Sequence, residues 1–368
     1  MRKKIFKNID WGIVICAILL CIIGMIALFS ATHESGYEDL EKQIIWFFIC
    51  IPVVLIVIFI DYEIIAKISP FLYGLFLLLL VAVLFTKPIN GATSWFDLKF
   101  MTFQPGEFAK IFVTLTLAYA ICKVQRKGRQ EINQPLKLLG CILIVLIPVL
   151  LIIKQPDYGT AIAYLVAMAM ILFTAGLDKR YIIGAILTIV VILPILYFFI
   201  LPDHAKNRIN VFLNPDSDPR GSGYNVIQSK LAIGAGQLTG MGILKGNQTQ
   251  LGFLYPKTTD FIFSVIGEEM GFIVAGGVII LYVILITKAV YIAKTAKDDL
   301  GSYIAMGIAG IFFFHMVENI GMTMGLLPIT GVPLPFVSYG GSSMLTNFIL
   351  IALLMNISGR RQKAIFID

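Results

Sequence analysis

Asp260 opens the run TDFIFSVIGEEMG, residues 259 to 271, among the most apolar in the chain, and Glu268 and Glu269 follow inside it. A carboxylate in such surroundings is costly unless it is compensated or used. Asp260 could cap the helix that the run predicts, because Asp is favoured there and its charge suits the positive helix end. It could instead act as a general base, which requires burial to raise its pKa and an attacking group within hydrogen-bond reach. Glu268 falls ~12 Å further along such a helix and about 80° round it. Neither it nor Glu269 therefore replaces Asp260, and both read as helix-packing or cavity residues.

Other polar residues stand at comparable depth. In SWFDLKFMTFQPGEFAK, Pro105 can open a helix as its first residue, and Glu107 and Lys110 then lie three apart on one face, spaced for an ion pair. That pair either holds helices together or lines a polar cavity. Trp95, just before it, suits an interfacial anchor. In KQPDYGT, residues 154 to 160, Gln155, Pro156 and Asp157 read mainly as the turn that starts another helix. LPITGVPLPFVSYGGSS, residues 327 to 343, contains Ser338 and sets three prolines and several glycines in an apolar run. Irregular backbone at membrane depth survives only when buried in protein or lining a cavity, so this segment is expected to wall a groove.

The elements that carry these residues belong to a membrane. Of the 368 residues, 58% are hydrophobic and 14% charged, and the mean hydropathy is +0.89. One soluble core could not hide so much apolar surface. Ten runs, each about 20 residues and long enough to span a hydrocarbon core, begin at Trp11, Gln43, Ile68, Gln104, Leu138, Thr160, Tyr181, Phe261, Tyr303 and Ser342. The expectation is an all-α polytopic protein, a single membrane domain over residues 1–368 with ten transmembrane helices. Its first helix is retained, being longer than the apolar core of a signal peptide.

Lys and Arg concentrate in alternate connections: Arg2, Lys3, Lys4 and Lys7; Lys67; the stretch after Ile121 with Lys137; Lys179 and Arg180; Lys288, Lys294 and Lys297; Arg360, Arg361 and Lys363. The opposite connections keep Lys42, Lys87, Lys99 and Lys154. The positive-inside rule places both termini in the cytoplasm. The net charge of +7 is then a basic face against anionic membrane lipid, which calls for no nucleic acid.

Between the seventh and eighth runs lies a long extracytoplasmic loop, residues 202–259, of a length usually functional or disordered. Its stretch YNVIQSKLAIGAGQLTGMGILKG, residues 224 to 246, suits a short interfacial helix. The glycines miss the dinucleotide-binding spacing but leave open a backbone nest for an anion. Five cysteines without CxxC spacing read as small core residues, and His33, His204 and His315 are too scattered for a zinc or iron set. An outward-facing polar groove under a long loop suits a lipid-linked substrate, for an enzyme or a transporter alike.

The motifs QPGEFAK at 104 to 110, QPDYGT at 155 to 160, TDFIFSVIGEEMG at 259 to 271 and GVPLPFVSYGGSS at 331 to 343 resemble, in order and spacing, the signatures of the SEDS proteins of bacterial walls. The short tails are more similar to the elongation branch than to the division branch. The resemblance implies a ten-helix inverting glycosyltransferase in the bacterial cytoplasmic membrane. Such an enzyme polymerises lipid II at the outer face into undecaprenyl-linked glycan, with a class B penicillin-binding protein, a transpeptidase, as partner and a divalent cation, Mg or Mn, as cofactor. By position, Asp260 matches the essential aspartate, Glu107 and Lys110 the polar pair of the fourth helix, and Trp95 the tryptophan before it. Gly106 replaces a common serine and Ser94 a common arginine, and PKTTD lacks a Glu and His frequent there. The loss of the arginine leaves Lys42, Lys110, Lys230 and Lys257 as candidates to meet the phosphates. The alternative is a lipid II flippase, which would show internal inverted repeats.

Overall fold

The computed structural model describes residues 8–88, 92–98, 102–200, 203–214, 218 and 221–361. Arg2, Lys3, Lys4, Lys7, Lys99, Pro202 and Lys363 lie outside the described residues.

The chain is a bundle of helices: α1 (Trp11–Ala31), α2 (Glu38–Phe59), α3 (Tyr62–Ala82), α4 (Pro105–Val124), α5 (Pro135–Lys154), α6 (Tyr158–Thr174), α7 (Lys179–Ile195), α8 (Asp203–Leu213), α9 (Ser222–Ala235), α10 (Asn247–Gln250), α11 (Ile262–Lys294), α12 (Asp299–Thr323) and α13 (Gly341–Arg360). A helix occupies each of the ten apolar runs. Eight are long and apolar enough to cross a membrane, and α4 and the shorter α6, of 17 residues, are not among them. α4 carries Glu107 and Lys110 and is buried along most of its length. The protein is a multi-pass membrane protein.

Sequence decides which helices face lipid. α2, α3 and α7 leave bulky apolar side chains such as Phe48, Phe71 and Val190 exposed, as lipid permits. α4, α12 and α13 place small and polar residues inward, which lets backbones approach. Gly307 and Gly310 of α12 show why: a Cβ on Gly307 would stand 2.6 Å from Thr114 of α4, and one on Gly310 3.0 Å from Met170 of α6. The principal contacts join α12 to α6 and α11, α13 to α2, α3 to α4, and α1 to α11.

Residue contacts define two opposite ends. At one, Lys288 pairs with Asp10 at 2.9 Å, Arg360 with Asp61 at 3.3 Å, and Tyr62 donates to Asp298 at 2.7 Å. The basic residues Arg126, Lys127 and Arg129 lie in the α4–α5 connection, at the end of α4 away from Glu107. At the other end converge the first turns of α4, α6, α11 and α13, capped by the antiparallel strands β1 (Phe96–Asp97) and β2 (Thr102–Phe103).

Among the described residues the long loop carries α8, α9 and α10. The expected interfacial helix over 224 to 246 is α9, which stops at Ala235, and the glycine-rich remainder packs on α11 instead. The amides of Met241 and Gly242 donate to the carbonyls of Glu268 and Glu269 at 2.9 and 3.0 Å. They serve α11, so the anion-nest reading does not hold at those two amides. The cysteines are core residues as expected, four buried and Cys122 half-buried.

Candidate active site

Asp260 sits one residue outside the cap position of α11. The cap residue is Phe261, and no side chain caps that helix, so the capping reading of Asp260 fails. The carboxylate instead looks into the end of the bundle where several segments meet. A Cβ on Gly331 would stand 3.4 Å from Asp260 Oδ2, and Gly331 has a φ of 75° that glycine accommodates. Asp260 is half-buried. Burial raises its pKa from 3.8 to about 6, against a hydrogen bond from Thr259 and the charge of Arg208, with Asp157 pushing further up.

Three segments hold the main chain around this carboxylate in place. The Asn319 side chain on α12 donates to the carbonyls of Asp260 and Val332, at 3.0 and 2.8 Å. Ser338 donates to the Thr259 carbonyl at 2.6 Å and accepts from the Leu334 amide at 2.8 Å. The Tyr339 amide reaches the Thr258 carbonyl at 2.9 Å. Gln43 of α2 clamps the same segment, donating to the Ser338 carbonyl at 3.0 Å and accepting from the Gly340 amide at 3.2 Å. The proline- and glycine-rich segment 331–340 therefore has its backbone groups met by buried side chains, as irregular chain at this depth requires.

Asp157 is the N-cap of α6, accepting from the Thr160 amide at 3.2 Å, and it also accepts from the Gln104 side chain at 2.9 Å. The turn reading of this residue holds, yet burial raises its pKa and the charge of Glu107 raises it further. Two carboxylates, Asp260 and Asp157, thus share one field. Gln155 is fully buried and tied to the main chain, donating to the Leu80 carbonyl at 3.0 Å, which makes it a strut.

Deeper in the bundle, Lys110 Nζ meets Glu107 at 2.8 Å and His315 Nε2 at 3.5 Å, and both charged residues are 1% exposed. Ser343 of α13 is also hydrogen-bonded to Glu107, and His315 Nδ1 lies 3.2 Å from the Pro333 carbonyl. The pair is buried in the bundle and continuous with the site through Asp157 and the 331–340 wall.

The remaining candidates lie further out. Lys42 is an exposed partner of Glu38 at 2.5 Å. Lys257 donates to the Thr249 carbonyl at 2.8 Å, and Lys230 is exposed on α9 beside Gly325. Trp95 is half-buried, with its carbonyl accepting from Thr86 at 3.2 Å. The cation whose charge reaches Asp260 is Arg208, on α8. It lines a small cavity with Val211, Phe212, Val226, Leu327 and Pro328. Sequence reading missed Arg208, Asn319 and His315. Arg208 carried one weak signal, a lone arginine in the polar stretch DHAKNRIN.

With this geometry in view, comparison with known proteins is informative. The FtsW/RodA/SpoVE family, described as cell cycle proteins, matches residues 10–363. The peptidoglycan glycosyltransferase MrdB of Escherichia coli K12 is 41% identical over 296 residues, 80% of this chain and 78% of its own. The peptidoglycan glycosyltransferase RodA of Treponema pallidum is 31% identical, covering 98% of this chain and 100% of its own. Among solved structures, a chain from a peptidoglycan synthase complex described as coordinating polymerization and crosslinking superposes with a TM-score of 0.81 at 30% identity. That match covers 95% of this chain and 97% of the other. The rod shape determining protein RodA of Thermus thermophilus gives 0.72 at 26% identity, over 96% and 98% of the two chains.

Proposed function

Because the chain belongs to the FtsW/RodA/SpoVE family, we propose that it is a peptidoglycan glycosyltransferase that polymerises lipid II at the outer face of the cytoplasmic membrane, for cell elongation and shape. The observation that carries this reading is the Asp260 carboxylate, half-buried beside Gly331, with a pKa raised to about 6 by burial and lying within the fields of Asp157 and Arg208.

Asp260 takes the proton from a sugar hydroxyl of the acceptor as that oxygen attacks the anomeric carbon of the donor chain. The bond from that carbon to undecaprenyl pyrophosphate breaks, and the electron pair departs with the pyrophosphate. Attack opposite the leaving group inverts the anomeric centre. A base with a pKa near 6 is ionised at neutral pH yet more basic than an ordinary aspartate, which suits proton removal from a hydroxyl. Arg208 offers a fixed positive charge to the departing phosphates. The buried pair Glu107–Lys110, with His315, fixes the first turn of α4 against the 331–340 wall.

Among the described residues no three His, Cys, Asp or Glu side chains gather as a metal site. A divalent cation at the reaction centre would be held by Asp157 together with substrate phosphates, the mode that Mg2+ favours, and would offset the local negative charge while leaving Asp260 as the base. The charge of the basic end, with Arg126, Lys127, Arg129 and Arg360, supports a cytoplasmic side there and an outer position for Asp260. The likeness to a chain from a synthase complex supports a class B penicillin-binding transpeptidase as partner, cross-linking the strands made here. The test is polymer formation from lipid II by the purified protein with that partner. Glycan strands from the wild type and none from Asp260→Asn are expected, and polymer from both would refute the assignment.

A further inference from the structure

Gly331 leaves the Asp260 carboxylate uncovered. It is exposed, has no side chain, and sits at a φ of 75° with Asp260 Oδ2 3.4 Å from where a Cβ would stand. Glycine populates positive and negative φ alike, so a wall that turns on it must be held on both flanks. The following flank is held by Asn319, which donates to the Val332 carbonyl at 2.8 Å. The preceding flank is held by the adjacent residue of α12: the Thr330 hydroxyl donates to Glu318 Oε1 at 2.7 Å.

An apolar residue would fill the place of Glu318 at lower cost. Glu318 is 6% exposed, and among the described residues it forms no ion pair. A buried carboxylate without a counter-charge is costly, and a hydrogen bond to a charged acceptor, being of the stronger kind, offsets part of that cost. Thr330 meets Glu318 in a crowded seam. A Cβ on Gly159, in the first turn of α6, would stand 3.2 Å from Thr330 Oγ1 and closer still to Val332. α6 thus closes on the wall while α12 grips it. The stretch just before Thr330 has a second duty, since Leu327, Pro328 and Ile329 line the small cavity that Arg208 also lines. Thr330 therefore stands between the part of the wall that meets Arg208 and the part that meets Asp260.

We infer that Glu318 is a positioning residue of the reaction centre, which acts through Thr330 to hold Gly331 clear of Asp260 and residues 327–329 against Arg208. Its effect on rate rests on the glycosyltransferase reading, whereas its effect on the wall does not. With the bond intact, the base stays open to an acceptor hydroxyl and the cation stays in register with it. Without the bond, the segment before Gly331 swings about the glycine and that geometry is lost.

The test compares Glu318→Gln, Glu318→Leu, Thr330→Val and the double variant Glu318→Leu with Thr330→Val, each as the full chain in nanodiscs with its transpeptidase partner and lipid II. Gln keeps an oxygen for the Thr330 hydroxyl, whereas Leu and Val each remove one side of the bond at similar volume. Turnover should fall by roughly tenfold or more in both single Leu and Val variants, with KM unchanged. The double variant should be no slower than the slower single one, because a single hydrogen bond is lost in all three. Glu318→Gln should stay within about threefold of wild type. Hydrogen exchange of residues 327–333, read without substrate, should quicken in the Leu and Val variants and not in the Gln variant. Should Glu318→Leu fail to fold, Thr330→Val decides alone. Unchanged turnover in a folded Leu or Val variant, additive losses, a Gln variant as slow as the Leu one, or a loss carried by KM would overturn the positioning role. If the wild type makes no polymer, the glycosyltransferase reading fails and exchange decides by itself: unaltered exchange at 327–333 then refutes the hold of Glu318 on the wall.

Discussion

The side-chain amide of Asn319 donates to the main-chain carbonyl of Asp260 at 3.0 Å and, from the same nitrogen, to that of Val332 at 2.8 Å. One fully buried side chain on α12 thus ties the main chain at Asp260 to the wall opposite it. Asn319→Leu keeps the volume and removes both donations, leaving two carbonyls short of a partner at a cost of about 1–3 kcal/mol. Turnover should fall by roughly tenfold or more with little change in KM for lipid II, since positioning rather than binding is lost. Wild-type turnover in a correctly inserted Asn319→Leu protein would show that the tether is dispensable.

The relationship also shows what a linear reading reaches. Asp260 was legible because a carboxylate at the mouth of an apolar run is conspicuous, and each apolar run is a helix because length and hydropathy are local properties. Asn319 lies 59 residues from its partner and His315 205 from Lys110, so their roles depend on helix packing that no local pattern encodes. Arg208 was hidden for another reason: it reaches Asp260 only because the loop folds back over the bundle. Glu268 and Glu269 read as packing residues, and the glycines near them resembled an anion nest, until the fold showed the Gly242 amide facing a carbonyl and the Gly246 amide facing the Glu269 carboxylate.

Glu107 and Lys110 form a buried pair at 2.8 Å. Lys110→Met leaves a buried carboxylate uncompensated and should destabilise by about 3–5 kcal/mol. The double variant Glu107→Gln with Lys110→Met should recover most of that, because no buried charge is then left alone. Thermal melting in detergent reads both. Additive losses in the double variant would mean that the two side chains act separately.

Orientation is tested with single cysteines in a background lacking the five native ones. Lys127 and Lys245 are both exposed, on the basic α4–α5 connection and on the long loop. In intact cells an impermeant thiol reagent should label Lys245→Cys and spare Lys127→Cys. Ser358 is a poor reporter, being 0% exposed, so protection there would follow from packing alone. Labelling at position 127 would invert the topology and remove Asp260 from the outer face.

The raised pKa of Asp260 couples activity and stability with opposite signs. As a base it must be deprotonated, so polymerisation should rise with pH through about 6 and level off above it. Stability runs the other way. A folded-state pKa of about 6 against an ordinary 3.8 means that the folded protein holds this proton more tightly than the unfolded chain. The stabilisation from protonated Asp260 is therefore complete below about 4 and lost as pH rises through 6. At pH 7.5 the ionised carboxylate then costs about 3 kcal/mol, by the usual conversion of pKa to free energy. Asp260→Asn keeps the shape without the charge, so it should melt several degrees above wild type at pH 7.5, with the gap narrowing towards pH 5. The same variant should make no polymer at either pH. A melting temperature equal to or below wild type at pH 7.5 would show that Asp260 is not desolvated, and the argument for its basicity would fall with it.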